Sequence, residues 1–179
     1  MPKWMYALVQ FAPLSTFATY AFWHGAPNEA RWEFAFKLAS AAALIQLAIV
    51  LPQRRPVNRL VLAANLYLLL GGLAFVTQQW WFLRIYGSLQ ESAIFLYMLA
   101  VGTIATLFSP AGYIGAQGAT RRQVRGASIA LLLATVLGLV FAVAFRGDRY
   151  WAAVYPIIGL AVLQRLLVHR ADRLTMDGA

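Results

Sequence analysis

Cysteine is absent from this chain, and histidine nearly so, with His24 and His169 the only two. The first absence excludes disulfides, thiolate metal sites and cysteine nucleophiles together. As for the second, neither ring has a carboxylate at ligand spacing, so no metal site can be read and no cofactor is expected. Charge is also scarce: Lys, Arg, Asp and Glu make up 12% of the 179 residues, and only six of them are acidic. No nucleophile stands beside a base, no carboxylates are paired for acid/base work, and no glycine-rich cradle precedes a helix. Enzymatic chemistry is therefore not the expectation.

Apolar sequence takes the place of these groups. Hydrophobic residues account for 61% of the chain, and its mean hydropathy is +0.66, far from the composition of soluble domains. In hydrocarbon, only helices and closed barrels satisfy every backbone N–H and C=O. The apolar runs here last roughly 17 to 20 residues without strand-type alternation, the length a helix needs to cross a bilayer. The expected fold is all-α, a single polytopic transmembrane helical bundle over residues 1–179. About six spans are expected: Trp4–Trp23, Phe34–Leu51, Leu60–Thr77, Ser92–Phe108, Ala127–Phe145 and Tyr150–Val168. A signal peptide is the alternative for the first, with Lys3 as its positive region. However, Gln10, Pro13, Ser15 and Thr16 interrupt the run, and no small-residue cleavage site closes it.

The net charge of +9 sits in the loops, with no basic domain to suggest nucleic acid. Lys3, Arg54, Arg55, Arg59, Arg121, Arg122, Arg125, Arg165, Arg170 and Arg173 fall on one side, ten of the 15 basic residues. The other side carries Arg31, Lys37, Arg84, Arg146 and Arg149 against Glu29, Glu33, Glu91 and Asp148. The positive-inside rule makes the first side cytoplasmic, and an even number of spans puts both termini there. The expected location is a bacterial inner membrane, with Arg54, Arg55, Arg121, Arg122 and Arg125 against anionic headgroups. Trp4, Trp23, Trp80, Trp81, Tyr150 and Trp151 fall at the ends of the expected spans, as interfacial anchors do.

Two connections stand out. The stretch 78–90 is too apolar for a solvated loop and too short to span, so an interfacial segment is expected between the third and fourth spans. The stretch 109–126 holds Pro110, Gly112, Gly115, Gly118 and Gly126 before the arginines. It is expected to be an ordered surface loop, with a dip into the membrane as the alternative.

Charge near the bilayer is costly and marks the first place to look for a site. Glu33 and Lys37, four residues apart, are placed to pair on one helix face. Arg84 and Glu91 share the external side with them, and Glu91 is expected to be charge-paired with Arg84 or Lys37. Gln10, Gln46, Asn65 and Gln164 lie among the apolar runs and are expected to hydrogen-bond between helices. Asn65, near Tyr67 and the Gly71–Gly72 pair, most needs a partner.

Taken in order, several elements resemble the intracellular septation protein A family of small inner-membrane proteins. They are Phe11–Phe17 (Phe-Ala-Pro-Leu-Ser-Thr-Phe), Ala42–Leu47, Gly71–Gly72, the connector ending in Arg84 and Glu91, Arg121–Arg122 and the tight turn before Trp151. The chain departs from that family at Arg84, where lysine is common. The resemblance implies a non-enzymatic protein that acts through membrane-embedded partners in envelope maintenance or division. Other inner-membrane proteins, or a second copy of the chain, are the partners expected. A small transporter, channel or lipid-binding protein with an external polar vestibule is the alternative, and an enzyme acting on a lipid-linked substrate is a third reading.

Overall fold

The computed structural model describes residues 3–22, 28–53, 58–116 and 119–176. Among the described residues the chain is helix and turn, with no strand. The helices are α1 (Lys3–Phe22), α2 (Glu29–Val50), α3 (Arg59–Val76), α4 (Trp80–Leu89), α5 (Ala93–Phe108), α6 (Arg121–Ala144) and α7 (Tyr155–Met176). Five stretches are long and apolar enough to cross a membrane: Glu29–Val50, Arg59–Val76, Trp80–Phe108, Arg121–Ala144 and Tyr150–Ala171. α1 has the length but is not among them, because Gln10, Ser15, Thr16 and Thr19 interrupt its apolar run.

Capping residues place several helix starts earlier than hydropathy does. α2 begins at Glu29, five residues before the expected Phe34, because the Asn28 side chain accepts from Arg31 N at 2.8 Å. α6 begins at Arg121 rather than Ala127. Thr120 and Gln123 form a reciprocal capping box there, satisfying two backbone donors at the helix start. Asn58 does the same for α3, accepting from Leu60 N at 2.9 Å. α7 in turn continues to Met176, past the expected Val168.

The chain divides into two compact units, Met1–Val57 with Ala64–Ser88, and Asn58–Ala63 with Leu89–Ala179. In the first, α1 and α2 pack antiparallel, with Phe17 meeting Trp32 at 5.2 Å and Phe36 at 4.7 Å between ring centroids. Phe36, fully buried, also meets Tyr67 at 5.4 Å and Phe75 at 5.7 Å, which brings α3 against α2. Gly71 and Gly72 make that approach possible. A Cβ at Gly72 would lie 1.8 Å from Ser40 Oγ and 3.0 Å from the Phe36 carbonyl oxygen. The connector 78–90 is itself largely helical: α4 stacks Tyr86 on Tyr67 at 5.2 Å and leaves Trp80 and Trp81 exposed.

The second unit is built from α5, α6 and α7. Gly102 on α5 takes the Tyr113 ring, and Gly138 on α6 takes Phe95. A π-helical turn at Tyr150–Val154 opens into α7, and ahead of it Asp148 Oδ1 accepts from Tyr150 N at 3.0 Å. Large apolar side chains stand outward on these helices, among them Ile104, Leu133, Leu137, Val140, Ile158 and Leu166.

Candidate functional site

The polar interior of the first unit grows out of the α2–α3 packing. With Gly72 seated on Ser40, Ser40 Oγ donates to the Leu68 carbonyl at 2.7 Å, and the antiparallel register then sets Asn65 beside Gln46. Asn65 Nδ2 donates to Gln46 Oε1, and each side chain is 2% exposed. Asn65 thus has the partner it was expected to need. Among the described residues, Gln46 Nε2 has no hydrogen-bond partner. Gln10 is buried on α1. The α1–α2 ring pairs set it about one helical turn from the level of Gln46. Two neutral amides joined this way bind helices together at about 1 kcal/mol per bond and move no charge.

Lys37 and Glu33 form the expected pair at the outer face of α2, both partly exposed. Arg84 stands exposed on α4 in the same unit. Glu91 lies in the second unit, in the 3₁₀ turn Gln90–Ser92 before α5. Its Oε2 is buried and, among the described residues, has no hydrogen-bond partner. Just before it Gln90 takes a left-handed backbone conformation, φ 49°, which interrupts the helical run between α4 and the 3₁₀ turn.

Arg121, Arg122 and Arg125 are exposed in the first two turns of α6. Arg54 and Arg55 lie outside the described residues, as do Trp23, His24, Pro56 and Gly118. Only the backbone of Trp4 is described, whereas Trp80, Trp81, Tyr150 and Trp151 are exposed. Arg59 Nη2 donates to Ser109 Oγ at 3.0 Å.

The stretch expected as a surface loop is instead folded inward over its first half. Tyr113 is fully buried, its N–H donates to Ser128 Oγ at 2.9 Å, and its hydroxyl meets Thr135 Oγ1 at 3.4 Å. Ile114 is buried beside it, and its carbonyl accepts from Gln164 Nε2 at 3.2 Å. Gly112 and Gly115, at φ 58° and 77°, supply the left-handed turns that send the chain in and out. The glycine spacing and the single tyrosine among small residues are the sequence signal that could have found this core. Burial pushes the Tyr113 hydroxyl up to about 12, against a smaller opposing effect of the Thr135 bond.

Among the described residues no three His, Asp or Glu side chains gather as metal ligands. In comparison with known proteins, the chain matches no family model, no curated protein and no solved structure.

Proposed function

We propose that this chain is a multi-pass protein of a bacterial-type inner membrane, with α1 as a sixth span beside the five longer apolar stretches and both termini cytoplasmic, acting by contact with other membrane-embedded molecules rather than by catalysis. The observation that carries the reading is the apolar surface left uncovered on long helices. Leu133, Leu137 and Val140 on α6 and Ile158, Val162 and Leu166 on α7 are each more than half exposed. Soluble monomers seldom leave apolar patches of this extent to water. A bilayer, or a helix of another protein, covers them without cost.

The arginines support the orientation. A helix N-terminus carries partial positive charge, so cations in its first turn are each unfavourable by about 0.3 to 1 kcal/mol. Arg121 and Arg122 hold that position in α6, so their placement answers to something outside the helix, and a cytoplasmic leaflet of anionic headgroups fits. The stretch Trp80–Phe108 is 29 residues long, more than the roughly 20 a helix needs to cross the hydrocarbon core, and it is interrupted at Gln90. That excess length supports an interfacial position for α4.

The resemblance to the septation protein A family makes envelope maintenance or division the setting we propose. Cross-linking in native bacterial membranes is the test. Recovery of cell-wall synthesis or division proteins supports the reading, and recovery of abundant bystanders alone counts against it.

A further inference from the structure

Between α1 and α2, within the first unit, lies a groove of about 750 Å³. Ser15, Thr16 and Thr19 line it from α1 and Arg31 from α2, with Ala12 and Leu38 further along. Ser15 and Thr16 are one turn from Thr19 at i,i+4 and i,i+3, so the three hydroxyls share a face. They differ from several other hydroxyls of the chain, although Thr103 on α5 shares their pattern. Thr77, Thr106 and Thr135 each donate to the carbonyl four residues back, at 2.8, 2.7 and 2.8 Å, the ordinary way of satisfying a hydroxyl in apolar surroundings. Among the described residues, Ser15, Thr16 and Thr19 make no hydrogen bond.

The groove also has a polar end and an apolar end. Phe17 against Trp32 and Tyr20 against Phe34 fix the antiparallel register. Thr19 and Arg31 therefore share the end of the helix pair where α1 gives way to α2. Ala12 lies about 10 Å deeper, at 1.5 Å per residue. An occupant has to offer several acceptor oxygens and negative charge at one end and hydrocarbon at the other. Phosphate matches the first requirement: a guanidinium presents five N–H donors in a fork that fits its oxygens, leaving donors for Arg31's other contact. Helix ends lie at headgroup depth in a bilayer and helix middles among the chains, which matches the second.

We propose that this groove is a binding site for a phospholipid, whose phosphate is held by Arg31, Thr19 and the neighbouring hydroxyls while its upper acyl chain runs over Ala12 and Leu38. The site rests on the membrane reading above.

The test uses the full chain in dodecyl maltoside micelles, with native mass spectrometry reading a one-lipid adduct. Phosphatidylglycerol should form the adduct, and diacylglycerol with the same chains should not. Inorganic phosphate, added as competitor, should not displace the lipid. Arg31→Gln, and the triple change Ser15→Ala, Thr16→Val, Thr19→Val, should each weaken the adduct about tenfold or more, the effect of losing a charge-assisted hydrogen bond. Equal binding of diacylglycerol, or variants that bind like the parent, would overturn the proposal. Displacement by phosphate would make free phosphate the ligand and overturn the lipid source. Should Arg31→Gln fail to fold, Thr19→Ser against Thr19→Val decides, since only the first keeps a donor. A protein that stays monomeric in water without detergent overturns the membrane reading and the site with it. A micelle-bound protein lacking the adduct overturns the site alone.

Discussion

Asn65 and Gln46 share one hydrogen bond between α3 and α2, both side chains are buried, and among the described residues the Gln46 amide N–H₂ has no partner. Removing one partner leaves the other buried and unsatisfied, whereas removing both leaves neither. Asn65→Leu should therefore destabilise the protein in detergent by about 1 to 2 kcal/mol. Gln46→Leu added to it should cost less than it does alone, because the two changes share one interaction. Thermal unfolding of the two single variants and the double variant checks this, and strictly additive losses would contradict it.

The glycines divide into two kinds. A Cβ at Gly72 meets Ser40 Oγ and the Phe36 carbonyl oxygen, whereas one at Gly126, on the exposed side of α6, meets nothing within 4 Å. Gly72→Ala should destabilise by about 1 to 3 kcal/mol through overpacking. Gly126→Ala should be neutral or stabilise by up to about 1 kcal/mol, since alanine is the better helix former. Equal effects at the two sites would contradict the α2–α3 packing.

These contrasts show how much could be read without the structure. The apolar runs marked out the helices, and the i,i+4 spacing of Glu33 and Lys37 foretold their pair. Helix starts were misplaced where a polar cap, Asn28 or Thr120, does its work outside the apolar run. Asn65 was recognisable as a polar group in need of a partner, but which partner depends on the register that Gly72 and Ser40 set. Tyr113 was missed altogether. Its burial follows from two positive-φ glycines and the void beside Gly102, and no periodicity signals either.

Tyr113 gives the fold a pH limit. Its hydroxyl titrates at about 12 in the folded protein against 10.0 ordinarily, because burial penalises the charged form. A group whose folded value is raised contributes its full stability below the unfolded value and loses it as pH climbs through the folded one. Stability should therefore fall between about pH 10 and 12 more steeply in the parent than in Tyr113→Phe, whose phenyl ring cannot ionise. Parallel pH profiles for the two proteins would contradict the assignment.

Glu91 supplies a test of a different kind. Pairing with Arg84 or Lys37 would make Glu91→Gln costly. A buried Oε2 without a hydrogen-bond partner among the described residues makes the loss of charge neutral or favourable instead. Unfolding in detergent should show no loss for Glu91→Gln; a loss above about 1 kcal/mol would restore the pairing.

The central claim is that these helices cross a membrane in alternation, with the arginine-rich connections on the cytoplasmic side. The most direct measurement fuses a reporter that is active only outside the cytoplasm at Gly147, between α6 and the π-helical turn before α7, and after Ala179. Activity at Gly147 with none at Ala179 is the predicted result. The reverse pattern, or equal activity at both sites, would contradict the account.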